Sequence, residues 1–394
     1  MMVGGSYLVA AVVVLGVVVV LKREIPATLL RDALSFHFIA AIAAGLEPAT
    51  VKASLLRASE DQAPGDVGAR GYLLVSALKG LLAAPFLALL WRFADPHVDP
   101  LAWLWLPFVT AAGFAATDLR VLLDVRGRHA SAIWLKHGSL GGGLLLLGAF
   151  LLAGMPLIWA MGASTAPRLV LVGFVAFSEP RAGPEAPLGP RIGRLLRDVR
   201  WVELAGASVI AAVGGSADRV LALRYLAPGA YTAYFLLYEA FSRFWLLPYL
   251  LTPIIFARRA VGRAADAFVR RSWLLTATAG GLFVAAVGGT LAVAPDLLAR
   301  FIGSPFPPAI LAFAAAVVIA GFTQLRIAEL QGAGRARRAA LLLGLGAAIA
   351  IALFYVLIRR FGESGLLAAW LLKSVIEFAA TMIWGGGGLA DKSL

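Results

Sequence analysis

Residues 216–248 read SADRVLALRYLAPGAYTAYFLLYEAFSRFWLLP, the end of one long apolar segment followed by most of the next. Ala227, Pro228 and Gly229 separate the two segments, and charged residues lie inside both of them. Apolar segments of similar length follow one another along the whole chain, and about 20 apolar residues are what an α-helix needs to cross a bilayer. The pattern predicts an all-α polytopic membrane protein with twelve transmembrane helices, six on each side of a central linker.

The predicted helices define three regions of the chain. We expect an N-terminal six-helix lobe at 1–178, a basic cytoplasmic linker at 179–200 and a C-terminal six-helix lobe at 201–394. Pro167 and Arg168 interrupt the apolar pattern of the sixth helix. The predicted spans are 2–21, 33–51, 71–91, 101–122, 132–154, 157–178, 201–223, 231–256, 272–294, 307–329, 339–358 and 365–385.

The composition excludes several classes of function. The chain is 61% hydrophobic and 14% charged, so no soluble domain is expected, and its net charge of +13 reflects basic loops rather than a nucleic-acid surface. It has no cysteine, its four histidines form no spaced ligand pair, and it lacks a Gly-rich phosphate loop. We therefore expect no cofactor, no metal site, no ATP binding and no enzymatic activity.

Basic residues are concentrated in alternate loops. Arginines follow the predicted spans four, eight and ten and fill the central linker, whereas the intervening loops have fewer of them. Under the positive-inside rule, this alternation places both termini in the cytoplasm. Lys22 and Arg23, on the predicted outer side, are the exception. The run Met2–Leu21 lacks a basic start, so we interpret it as a first transmembrane helix and not as a cleaved signal.

A weak internal repeat relates the two halves. The fourth span is followed by VRGRHA at 125–130, and the tenth span by AGRARRA at 333–339. Because these basic turns lie six spans apart, they indicate two pseudo-symmetric lobes of the same orientation.

Seven charged residues lie within the predicted spans. The spacing of four residues in Glu239/Arg243 and in Lys373/Glu377 places each pair on one face of its helix. Burial of a charge in a membrane is costly, so such residues usually face a cavity or a partner. The four cations are Lys79, Arg219, Arg243 and Lys373, and the three carboxylates are Asp218, Glu239 and Glu377.

The surplus of one cation suits an anionic substrate such as a diphosphate, for which arginine offers two parallel donors. Two alternatives stay open. The intrahelical pairs are also compatible with a purely structural role, and Lys79 could extend to the headgroups. Pro248 and Pro253 in the eighth span permit a kink and are candidate gating residues, although proline is common in membrane helices.

Several short stretches of the chain form a combination of motifs. They are the Asp-Arg pair 218–219, YFLLYEAFSRFWLLP at 234–248 with PIIFAR at 253–258, LQGAGR at 330–335, FGESGL at 361–366 and AGLEPA at 44–49. Together they resemble the bacterial oligosaccharide flippases of the multidrug/oligosaccharidyl-lipid/polysaccharide exporter superfamily. The similarity extends over the span count of the whole chain and over motifs that lie mostly in its second half.

The resemblance implies a two-lobed flippase that carries a polyprenyl-diphosphate-linked oligosaccharide across the bacterial inner membrane for O-antigen, capsule or exopolysaccharide synthesis. Arg219 and Arg243 would bind the diphosphate, while Asp218 and Glu239 would orient them or bind H⁺ or Na⁺. Membrane lipids and the polymerase and glycosyltransferases of the same pathway are further partners. The alternatives are an ion-coupled multidrug and toxin extrusion type antiporter and a membrane-embedded polymerase or glycosyltransferase.

Overall fold

The computed structural model describes residues 2–46, 69–125, 128, 131–132, 134–178, 200–260, 265–296, 307–333 and 335–385. Every regular element within these ranges is helical. The first half contains α1 (Met2–Glu24), α2 (Ala27–Gly45), α3 (Ala69–Ala94), α4 (Leu106–Val125), α5 (Ser139–Leu152) and α6 (Leu157–Ser178). The second half contains α7 (Arg200–Tyr225), α8 (Pro228–Ser242), α9 (Leu246–Ala260), α10 (Ala265–Val293), α11 (Pro307–Gly332) and α12 (Ala336–Gly385).

These helices account for twelve predicted spans because α8 and α9 together form the eighth, and α12 contains both the eleventh and the twelfth. Packing divides the chain into two compact units, Met1–Ala212 (unit 1) and Val213–Leu394 (unit 2), with the division inside α7. Most of the predicted linker, 179–199, lies outside the described residues.

The helices expose apolar residues on one face, as expected of helices in contact with lipid. On α3, Leu82 is 81% exposed and Leu89 70% exposed, whereas Ser76 and Trp91 on the opposite face are fully buried. Seven of the described helices are long and apolar enough to cross a membrane. Buried polar side chains such as Ser76 therefore face the interior of a unit, and the exposed apolar faces are suited to contact with lipid.

Close helix contacts depend on small residues. At Gly80 a Cβ atom would lie 2.6 Å from the backbone oxygen of Thr110, so α3 and α4 meet backbone to backbone. Gly143 makes the same kind of approach between α5 and α6, where a Cβ atom would lie 2.6 Å from Ser164 O. Small residues at such contacts are typical of packed membrane helices.

The long helix α12 bends at Gly362. Its backbone there has φ 58° and ψ −134°, a conformation that residues with a Cβ atom avoid. Three residues later, a Cβ atom at Gly365 would lie 2.1 Å from Leu357 O. The two glycines therefore separate the two arms of α12, which correspond to the predicted spans 339–358 and 365–385.

The second span begins earlier than predicted, whereas the sixth has the predicted bounds, 157–178, although its apolar pattern is interrupted. The helix α2 begins at Ala27 and not at residue 33. Pro26 lies at its N-cap position, where its carbonyl oxygen accepts from Leu30 N at 3.0 Å. Arg31 finds a partner inside the protein, with its Nη2 atom 3.4 Å from Asp95 Oδ1. Arg31 therefore lies inside a helix. Pro167 does not interrupt α6, which continues across it while the proline ring packs near Gly142 of α5.

Candidate functional site

A buried aspartate in α7 anchors the polar interior of unit 2. Asp218 is 1% exposed, and its Oδ2 atom accepts a short hydrogen bond from the Tyr234 hydroxyl of α8. The Trp370 indole of α12 donates to the same Oδ2 at 3.3 Å and to the Tyr234 hydroxyl at 2.9 Å. Three helices thus meet at the Asp218 carboxylate. A buried charge is tolerated only where hydrogen-bond donors of the protein replace water, and here two side chains do so.

Arg219 follows Asp218 but lies on the edge of the same site. Its guanidinium stacks over the Tyr238 ring with 4.4 Å from Cζ to the ring centre, and its Nη2 donates to Gly215 O at 2.9 Å. Its Nε atom lies 3.8 Å from Asp218 Oδ1. Adjacent positions on a helix diverge, yet the length of the arginine side chain brings its charge back to its neighbour.

The two predicted intrahelical pairs both form. Arg243 makes a short ion pair with Glu239, and the Lys373 Nζ atom lies 2.7 Å from Glu377 Oε2. Lys373 also lies 5.0 Å from the centre of the Trp370 ring. All four side chains are 10–23% exposed, so each pair is mostly buried.

An aromatic cluster connects these charges. The rings of Tyr238, Trp245 and Trp370 lie 5.9–6.1 Å apart, centre to centre, and Phe313 of α11 lies 5.7 Å from Trp370. Trp245 also donates from Nε1 to Val317 O at 2.8 Å. We call this group, together with Tyr234, the aromatic cluster. It holds Arg219 and Lys373 by cation–π contacts within one unit.

The eighth span changes from α-helical to 3₁₀ geometry just before the first predicted gating proline. A 3₁₀ turn at Arg243–Trp245 separates α8 from α9, and Pro248 lies in the first turn of α9. Proline at 248 cannot bond to the carbonyl of Phe244 and crowds it, which explains why the break is at 243–245. The side chain of Pro253 lies outside the described part of the structure.

Lys79 belongs to unit 1 and is not part of the aromatic cluster. It is 7% exposed on α3, one turn after Ser76, whose hydroxyl makes a short hydrogen bond to Asp118 of α4. The predicted surplus of one cation therefore rests on a residue from the other unit. Within unit 2, the predicted set is balanced, with three cations and three carboxylates.

The sequence-based prediction missed four residues that shape the two polar interiors. Asp118 is fully buried, and Arg168, in α6, is 5% exposed. Tyr234 and Trp370 are the partners of Asp218. The spacing of residues could have indicated that Arg168 is buried. Met161, Thr165 and Val172 lie on the same helix face as Arg168, at spacings of three or four, and they are buried.

Three solved structures of similar fold are membrane transporters. No protein-family model matches the chain, and no curated protein does. The lipid II flippase MurJ in an inward closed conformation has a TM-score of 0.68 and 11% identity, covering 98% of this chain and 87% of that one. An inward-facing multidrug resistance MATE family transporter has a TM-score of 0.67 and 14% identity, covering 95% and 93%.

A third structure of this kind is a transporter from Pyrococcus furiosus, described as having a binding pocket of reverse polarity. It has a TM-score of 0.58 and 14% identity, covering 98% of this chain and 92% of that one. At these identities the likeness concerns the fold. The chain is a multi-pass, all-α membrane protein with the fold of the MOP exporter superfamily, twelve helices in two lobes.

Proposed function

We propose that the protein carries a lipid-diphosphate-linked oligosaccharide across the cytoplasmic membrane by alternating access, for surface polysaccharide synthesis. The observation that carries the proposal is the set of three partly exposed cations on the aromatic cluster of unit 2. Arg219 and Lys373 contact its rings, and Arg243 begins the turn that contains Trp245. Guanidinium groups held in this way are prepared to bind phosphate oxygens with little loss of side-chain entropy.

In this proposal the arginines and lysines bind the diphosphate, and the carboxylates control them. Arg219 and Arg243 make the bidentate contacts, while Lys373 and Lys79 add charge. The 3₁₀ turn before Pro248 would let α9 move relative to α8 during the transport cycle, with Pro253 as a second flexible point. The residues that orient the cations or bind a coupling H⁺ or Na⁺ are Asp218, Glu239 and Glu377.

The likeness to MurJ supports a lipid-linked substrate, since that neighbour is named a lipid II flippase. A large substrate also fits a set of separate cationic contacts, each of them weak, better than one closed binding site. Both termini would face the cytoplasm, and the polymerase and glycosyltransferases of the pathway would supply and use the substrate.

The test is a flipping assay with the full chain in proteoliposomes. A radiolabelled polyprenyl-diphosphate oligosaccharide is placed in one leaflet, and an impermeant glycosidase reports its arrival in the other. Arg243→Gln removes one charge-assisted contact, each worth about 1.5–3 kcal/mol, so we expect an approximately 10- to 100-fold slower rate. The matched control is Arg270→Gln, at an exposed position of α10. Equal rates for wild type and Arg243→Gln would contradict the proposal.

The balanced charges of unit 2 favour a second candidate, an ion-coupled multidrug antiporter. Three cations paired with three carboxylates leave no net positive charge for a diphosphate, and Asp218 provides a buried carboxylate that could exchange a proton for an organic cation. The MATE neighbour supports this reading equally. Efflux of a cationic dye by the same proteoliposomes under a proton or sodium gradient, without glycan flipping, would establish the antiporter.

A further inference from the structure

A polar pocket opens inside unit 1. It is lined by residues of α2, α4, α5 and α6, and its cavity volume is about 20 Å³. A cavity of this volume holds about one particle the size of a water molecule, so it is far too small for an oligosaccharide. The polar residues of its lining are His37, Ser139, Ser164, Thr165 and Arg168.

Arg168 is the charged group of this pocket. It is 5% exposed, and its Nη1 atom donates to Ala40 O of α2 at 3.2 Å. A single carbonyl does not neutralise a guanidinium. Among the described residues, none of those lining the pocket is acidic, and no carboxylate forms an ion pair with Arg168. A buried cation between membrane helices is costly unless a counter-charge accompanies it.

The surrounding hydroxyl groups complete a set of donors. Ser139 and Thr165 are buried, and the Ser164 and Thr165 hydroxyls donate to Met161 O and Gly162 O within their own helix. Those carbonyls belong to the helix backbone, so a hydroxyl can rotate towards an anion at small cost. The close contact at Gly143 brings α5 against α6 and fixes the pocket at this size.

From this geometry we infer that the pocket of unit 1 is a binding site for one small inorganic anion, chloride in a cell. The ion is held by the Arg168 guanidinium and by serine and threonine hydroxyl groups. It supplies the counter-charge that the described protein residues do not, and it therefore stabilises unit 1. The site uses none of the residues that are proposed to contact the diphosphate, and it does not depend on the transported substrate.

Equilibrium binding of ³⁶Cl⁻ to the purified full chain in nanodiscs tests the inference directly. We expect saturable binding of one chloride per chain, and a Tm that rises when potassium gluconate is replaced by potassium chloride at constant ionic strength. Bromide should compete, whereas sulfate and inorganic phosphate should not, because the pocket has space for a single small ion.

Variants assign the binding to the pocket. Arg168→Gln keeps a donor for Ala40 O and removes the charge, so saturable chloride binding and the chloride-dependent rise in Tm should both be lost. Arg359→Gln, in unit 2, is the control and should bind chloride like wild type. Thr165→Val leaves Arg168 in place and should weaken chloride binding, which tests the site even if Arg168→Gln fails to fold. Absence of saturable binding in wild type, undiminished binding in Thr165→Val and Arg168→Gln, or stronger competition by phosphate than by bromide would overturn the inference.

Discussion

Asp218 illustrates how a single carboxylate is accommodated between membrane helices. Its two recorded donors come from residues 16 and 152 positions away along the chain. The sequence indicated that Asp218 faces a cavity or a partner, because burial of a charge in a membrane is costly. It could not identify Tyr234 and Trp370, since the contact depends on how α7, α8 and α12 pack.

The Tyr234 hydroxyl should contribute to stability because it donates a hydrogen bond to the buried carboxylate of Asp218. Tyr234→Phe leaves the carboxylate buried with one donor fewer, and an unsatisfied buried group costs about 1–3 kcal/mol. We expect a clear fall in Tm of the purified protein. Tyr225→Phe, at a position 38% exposed, is the control and should change Tm little. An unchanged Tm for Tyr234→Phe would refute this role for the hydroxyl.

At the scale of elements, helix positions were largely predictable and helix irregularities were not. Apolar length alone predicts the spans, which is why the arms of α12 agree with the predicted eleventh and twelfth spans. The early start of α2 depends on the contact of Arg31 with Asp95, and the continuity of α6 depends on Pro167 fitting against Gly142. Such tertiary contacts override the local pattern.

The bend of α12 makes a prediction about Gly362. Alanine at this position must adopt φ 58° and ψ −134°, a strained conformation that costs about 1–3 kcal/mol. Gly362→Ala should therefore lower Tm. Gly281→Ala is the matched control, since a Cβ atom there would meet nothing within 4 Å and alanine favours the helix. If both variants melt together with wild type, the bend does not require glycine.

For the whole molecule, loop charge predicts an orientation in the membrane. It can be tested by labelling introduced cysteines, because the chain has no cysteine of its own that would react with the label. Ala227→Cys, between α7 and α8, should react with an impermeant maleimide added to intact cells. Ala333→Cys, after α11 and beside the arginines at 335, 337 and 338, should react only after permeabilisation. Both positions are exposed in the structure. The reverse labelling pattern would place both termini outside the cytoplasm.

The two units show why a site is harder to predict than a fold. Charge counting along the sequence placed Lys79 with the residues of unit 2, although it belongs to unit 1. It overlooked Arg168, because a lone arginine beside a proline resembles a helix end. Knowledge of which helices pack together was needed to separate the balanced charges of the aromatic cluster from the donor-rich pocket around Arg168.

The position of Trp370 gives the protein an optical property. Its indole donates to Asp218 Oδ2 and to the Tyr234 hydroxyl, and the ammonium group of Lys373 lies 5.0 Å from its ring centre. Indole emission responds to nearby charge, so protonation of Asp218 or neutralisation of Lys373 alters the fluorescence of unlabelled protein. A difference spectrum against Trp370→Phe separates this signal from that of the other tryptophans. Events at the aromatic cluster thereby become visible in real time, in a membrane, without a dye.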